Sequence, residues 1–425
     1  MEKMGKNFMK RINLRYGFGF VALALTLAMA GGNCSTDCFN ESKDCPTSFD
    51  ASLFDTCQIS GSDSGNSIYV ASSFTAETDS DGSASYPWKN IDDALTARSS
   101  SGSSTVYIYV YGSATAYETN IDLNDSSKYS NTYIVGCSDG TNPATIDAEN
   151  GNTYTDHTIK LSGISNFHFI DLNIQGIYSE YASYIDAGND DIDAATVYLE
   201  NSTDISFEGI NFSDNYFIAI KSTGSTTLEL DTVDLSDPYV SLHYGNSAGV
   251  FMDAGTTLTA NNINVTGFYR GVVVYGATAH ISADDSSHTI SSSNEAGIYF
   301  TKDSDTGTQP SGSINGLLLQ ANYIGIYGRE NSDLDIDNVT LEASNSMGLR
   351  ACSSDSTISD NIVAVSGSSI AYAFIGDVTV SGTGNSFNEL TVDPDANDAG
   401  DFSSPDSTSS VDCPQISSIS SSEFH

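Results

Sequence analysis

Five eight-residue segments share one spacing of apolar positions. FHFIDLNI (Phe167 to Ile174), ISFEGINF (Ile205 to Phe212), LELDTVDL (Leu228 to Leu235), LTANNINV (Leu258 to Val265) and LDIDNVTL (Leu334 to Leu341) are apolar at positions one, three, six and eight. One strand would place them at one, three, five and seven, because side chains alternate with a period of two. The single slip of phase predicts two short strands joined at a corner, with both apolar pairs facing one interior. The corner, position five, is Asp171, Gly209, Thr232, Asn262 and Asn338. All but Thr232 are residue types that enter the left-handed backbone region at low cost. A helix is excluded by the missing 3.6 period and by the abundance of Ile, Val, Phe and Thr.

A second phrase follows the corner units: NSAGVFM (Asn246 to Met252), NEAGIYF (Asn294 to Phe300), NYIGIYG (Asn322 to Gly328) and NSMGLRA (Asn345 to Ala351). Each reads as a turn and then a third strand, after which the next coil begins. Successive glycines of these third strands, Gly249, Gly271, Gly297, Gly325 and Gly348, are 22, 26, 28 and 23 residues apart. Steps of this size signal a solenoid whose longer coils carry loops, and one coil cannot bury enough surface to stand alone. The dense L-x-x-L-x-L frame of leucine-rich repeats is absent.

Alternation within the third strand puts Val250 and Met252, Val272 and Val274, and Ile298 and Phe300 inside. Phe251, Val273, Tyr299, Tyr327 and Arg350 should then form one outward column, with Lys302 and Arg329 just beyond the strand ends.

The N-terminus reads as a secretory signal, with five basic residues from Lys3 to Arg15 and then the apolar run FGFVALALTLAMA, Phe18 to Ala30. Two processing points compete: cleavage after Ala28-Met29-Ala30, or lipidation at Cys34, since AGGNC resembles a bacterial lipobox with Gly31 in the usual Leu position. Setting Cys34 aside leaves Cys38, Cys45, Cys57, Cys137, Cys352 and Cys413, an even set suited to disulfides in an oxidising compartment. The formal net charge is −40, and residues 1–30 contribute a net of +4, which leaves the remainder at −44. Such a field argues against nucleic acid and anionic lipid as partners, and any membrane contact runs through an N-terminal lipid. Oligomeric state is not legible.

With its corners, its third strands and its entry segment SIYVASSF…DGSASYPWKNIDDAL (Ser67 to Leu95), the chain resembles the pectin-lyase-like right-handed parallel β-helix superfamily. The resemblance implies an all-β solenoid with a short N-terminal capping helix, whose buried face would hold Trp88, Ile91, Ala94 and Leu95. The expected organisation is a signal peptide (1–33), a Cys-containing segment (34–64), a β-helix (65–392, weakest from Ala277 to Asp303) and a polar tail (393–425). Cys413 is expected to pin the tail to Cys352, while Cys38, Cys45 and Cys57 knot the N-terminal segment.

Glycan-cleaving members of that superfamily place their sites on the outer face, so the resemblance points to the Phe251, Tyr299, Tyr327, Arg350, Lys302 and Arg329 column. Sugar rings pack on aromatic faces, and Arg or Lys pairs with uronate carboxylates; a packed aromatic ladder is the alternative. Asp333, Asp335 and Asp337 alternate with apolar residues and face outward together, as calcium ligands or as a solvated acidic edge. His168 reads as a surface residue without a partner. The Asn-Thr-Asp and Gly-His-Gly elements of polygalacturonases, the Arg-rich motif of pectate lyases and the pectin methylesterase motifs are missing. The expectation is an exported cell-envelope or secreted protein that binds polysaccharide or another cell-surface component without catalysis. A polysaccharide lyase and a structural spacer are the alternatives.

Overall fold

The computed structural model describes residues 48–59, 66–74, 80–99, 104–148, 157–176, 195–215, 217–237, 247–285, 287–329, 332–342, 347–352, 356–359, 362–366, 370–375 and 378–381. The proposed signal peptide, Cys34, Cys38, Cys45, Cys413 and the tail lie outside them.

The described strands form three sheets, and every strand pairing in them is parallel. A long sheet of twelve strands runs from Ser67–Val70 to Val378–Ser381. A corner sheet of ten runs from Tyr117–Glu118 to Ile362–Ser366, and a glycine sheet of ten from Ile121–Leu123 to Ile370–Ile375. One coil shows the plan: Ala248–Met252 in the glycine sheet, Thr257–Asn261 in the long sheet and Asn264–Thr266 in the corner sheet, before Arg270–Tyr275 opens the next coil. The chain is a parallel β-helix, as its phase-slipped pattern implies.

All five anticipated corners are left-handed: Asp171, Gly209, Thr232, Asn262 and Asn338 have φ of 54°, 64°, 55°, 56° and 53°. Thr232 complies although a β-branched residue is strained there, because the residues on both sides are committed to different sheets. Ala277 to Asp303, where the pattern is dilute, is still a registered coil, with Thr278–Ser282 and Thr289–Ser291 paired to the coils on both sides.

The bore is filled by the residues that the pattern assigned to it. Val250, Met252, Val272, Val274, Ile298 and Phe300 are buried in one continuous core with Phe167, Phe169 and Phe207. Phe169 and Phe207 stack across adjacent coils, with centroids 4.8 Å apart and planes 2° from parallel. The recurrent glycine has a spatial cause. A Cβ at Gly271 would lie 2.4 Å from the carbonyl oxygen of Gly297 and 2.5 Å from Ile290 Cγ2; at Gly325 it would lie 2.4 Å from the oxygen of Gly348. Asn322, from the same phrase, is fully buried, donating to Ile290 O and accepting from Ser293 N at 2.8 and 2.9 Å.

The capping helix is Ile91–Ser99. Ile91 and Ala94 are fully buried and Leu95 is 5% exposed, whereas Trp88 precedes the helix, packing on the core half-buried and bridging to Val70. Arg98 in the last turn is buried and donates to Thr132 Oγ1 (2.8 Å) and to Ser130 O, tying the helix to the coil below. The disulfide reading needs correction for Cys57. It bonds to Cys137 on the long sheet, 80 residues away, because Cys137 points outward there at a Cα distance of 5.2 Å.

Candidate functional site

The register assembles the expected column. Along the glycine sheet, Asp122, Lys160, Tyr198, Lys221, Phe251, Val273, Tyr299, Tyr327 and Arg350 are successive partners. Phe251, Val273, Tyr299 and Tyr327 form a cluster separate from the bore. Ten Lys and Arg residues lie beyond residue 30, and six of them, Lys160, Lys221, Arg270, Lys302, Arg329 and Arg350, lie in or directly after strands of this one sheet.

These cations are set among rings. The Lys160 ammonium stands 5.5 Å from the Tyr198 centroid, and Lys221 lies 5.9 Å from both Tyr198 and Phe251. The Arg270 guanidinium is 5.1 Å from the Tyr299 ring and 5.3 Å from Tyr269, and its Nε meets Glu295 Oε2 at 2.5 Å. Arg329 Nη1 donates to Tyr299 Oη at 3.2 Å, and Tyr299 packs edge-on to Tyr327 at 5.2 Å. Burial raises the Tyr299 pKa, and the two guanidiniums pull it the other way.

Exposure differs from the sequence expectation. The side chains leave the bore, yet Phe251, Tyr299, Tyr327 and Arg329 are 3%, 1%, 0% and 4% exposed. Ring-on-ring and ring-on-cation packing accounts for this part of the column. The accessible parts are its N-terminal end, where Lys160, Tyr198 and His157 are half-buried and His157 stacks on Tyr198 at 4.9 Å, and Lys302, also half-buried. Arg350 keeps its register place opposite Tyr327.

A second ladder, absent from the sequence reading, stands on the long sheet. Tyr107 stacks on Tyr133 at 5.0 Å and Tyr133 on His168 at 4.3 Å. His168 is half-buried rather than a partnerless surface residue: Nδ1 bonds Ser206 Oγ at 2.6 Å and Nε2 bonds Asn166 Oδ1 at 2.5 Å. Burial lowers its pKa, with Asp204 opposing. Only the period-two alternation of Tyr107 and Tyr109 hinted at this ladder, since Ser206 is 38 residues from His168.

Asp335 and Asp337 lie on the long sheet, exposed and half-buried. Among the described residues no three acidic, His or Cys side chains are placed to hold a metal ion.

No family model and no curated protein matches the sequence. Solved structures do resemble the fold. A polygalacturonase from Erwinia carotovora ssp. carotovora is 10% identical, with 79% of this chain and 99% of that one covered and a TM-score of 0.45. The pectate lyase Pel9A is 14% identical (80% and 83% covered, TM-score 0.44), and an alginate lyase from Paenibacillus sp. str. FPU-7 is 10% identical (68% and 96%, 0.41). Three parallel sheets, left-handed corners and a helix over the first coil make this chain a parallel β-helix.

Proposed function

We propose that this chain is an exported cell-envelope or secreted protein that binds polysaccharide along the outer face of its glycine sheet without cleaving it. The observation that carries the reading is the gathering of six of ten cations onto one sheet, interleaved with rings, in a chain of net charge −40. Because Lys221, Arg270 and Arg329 are buried and Arg270 is paired with Glu295, Lys160 and Lys302 are, among the described side chains, the cations of this sheet that a uronate carboxylate can meet. Lys160, Tyr198 and Lys302 offer its accessible contacts. Phe251, Tyr299, Tyr327 and Arg329 form the buried body of the column, and Arg350 follows Tyr327 in its register. Lipidation at Cys34 would anchor the protein to a membrane, and Asp333, Asp335 and Asp337, on the long sheet, would offer calcium an acidic edge separate from the glycine-sheet stripe.

One arrangement favours a lyase as the second reading. The Tyr299 phenol lies between Arg270 and Arg329, a group able to carry a proton beside cations able to steady a carbanion. At 1% exposure it does not meet a solute in this conformation.

The test is retention of the purified chain on polygalacturonate and alginate gels, with and without calcium, while absorbance from unsaturated uronates is followed. Retention without new absorbance, weakened by Lys160→Gln and by Tyr198→Ala, is expected. New absorbance would replace binding by lysis, and absence of both would leave a spacer.

A further inference from the structure

In five successive glycine-sheet strands the residue preceding the first registered pair forms a separate outer column: Phe217, Ser247, Tyr269, Glu295 and Tyr323. Main-chain bonds join them coil to coil, from Ala248 N to Phe217 O (2.9 Å), Arg270 N to Ser247 O (3.0 Å), Glu295 N to Tyr269 O (2.8 Å) and Ile324 N to Glu295 O (2.9 Å). Across these five coils, rings therefore recur on every second one. Parallel neighbours lie ~4.8 Å apart, so the rings follow one another at ~9.5 Å.

The intervening side chains are held down. Ser247 is fully buried, its Oγ accepting from Tyr269 N at 2.7 Å, and Glu295 is 8% exposed and bound to Arg270. The rings are more open: Phe217 and Tyr269 are half-buried, and Tyr323 at 49% is one of two exposed large hydrophobics among the described residues. Arg270 lies over the Tyr269 ring and is neutralised by Glu295, so it steadies the ring without adding net charge.

We propose that Phe217, Tyr269 and Tyr323 are three stacking positions for one extended, 1,4-linked pyranose chain lying along the coil axis. In a ribbon-like 1,4-linked chain the same sugar face recurs every second residue, and that disaccharide is about as long as two coils are tall. Coiled 1,3-linked and loosely jointed 1,6-linked glucans present no face at this interval. The proposal rests on the glycan-binding reading above and specifies the linkage geometry, which neutral and uronate chains share.

The test is affinity electrophoresis of the full chain in gels containing glucomannan or polymannuronate, both ribbon-like 1,4-linked chains, against laminarin (1,3-linked) and dextran (1,6-linked). Retention by at least one 1,4-linked polymer and by neither control is expected, and which polymer retains tells whether carboxylates add to the contact. Tyr323→Ala should weaken binding about five- to tenfold, the worth of one aromatic contact, and Tyr323→Phe should preserve it. With 1,4-linked oligosaccharides, affinity should climb until the ligand spans the ~19 Å from Phe217 to Tyr323, about five sugars, and then level off. Equal retention of laminarin, wild-type binding by Tyr323→Ala, or saturation at two sugars would overturn the ladder. Binding lost in Lys160→Gln and Tyr198→Ala but kept in Tyr323→Ala removes this ladder and leaves glycan binding standing, whereas no retention on any polymer removes both.

Discussion

Replacing Gly271 by alanine tests why glycine opens each third strand. Its φ lies outside the left-handed region, so backbone conformation alone would tolerate alanine. Space would not: the new methyl would sit 2.4 Å from Gly297 O, a main-chain atom of the next coil, and 2.5 Å from Ile290 Cγ2 in the core. Relief requires the coils to part, and overpacking of this kind costs ~1–3 kcal/mol. Against that, removing glycine from the unfolded chain returns ~0.4–1 kcal/mol. The net expectation is a loss of about 1–2 kcal/mol, read as a lower urea midpoint at unchanged slope. Gly328→Ala is the control, since its Cβ would first meet Leu334 Cδ1, a side-chain end, at 3.2 Å; it should stay within ~0.5 kcal/mol of the parent. A Gly271→Ala chain as stable as the parent, or a Gly328→Ala chain weakened equally, would refute close packing as the reason for the glycine column.

Further outcomes follow from the corners, the disulfide and the half-buried imidazole. Thr232→Asn keeps the left-handed corner at φ 55° while removing a β-branched side chain, and should raise the melting temperature by the equivalent of ~1 kcal/mol. Partial desolvation raises the Asp171 pKa although the residue keeps an exposed edge, so its contribution is favourable below the unfolded carboxylate range and is lost as pH rises through the folded value; Asp171→Asn should therefore be slightly stabilising at neutral pH and lose that advantage in acid. Cys57→Ser with Cys137→Ser frees an 80-residue separation and should cost ~2–4 kcal/mol in denaturant titration. His168 has a depressed pKa, so its contribution is present above the unfolded histidine value and falls away as pH drops through the folded one; in His168→Gln that fall should be smaller, and an unchanged pH profile would count against desolvation of the imidazole.

The coil plan was legible because it depends on local pattern. A phase slip of one residue marked the corners, and Asp171, Asn262 and Asn338 advertised their conformation by type; Thr232 took it only because its neighbours required it. The outward column was legible for the same reason, since period-two alternation fixes the facing of Tyr299 once the bore takes Ile298 and Phe300. Its burial was not, because covering a strand's outer side depends on packing beyond that strand. Nor was the Cys57–Cys137 bond, between residues brought together only after the chain has wound through two strands of the long sheet. His168 shows the same limit: its partner Ser206 is adjacent in space through stacking but lies a full coil and its loop away along the chain.

The junction between the long and corner sheets is widened at some turns of the helix, as where Ala283 to His288 separates Thr278–Ser282 from Thr289–Ser291, while a single residue suffices at Asp171 or Asn338. Both flanking strands keep their partners above and below. Extra chain can thus be grafted at such a seam without disturbing the cross-section, so lineages of this architecture can vary their surface while inheriting an unaltered interior.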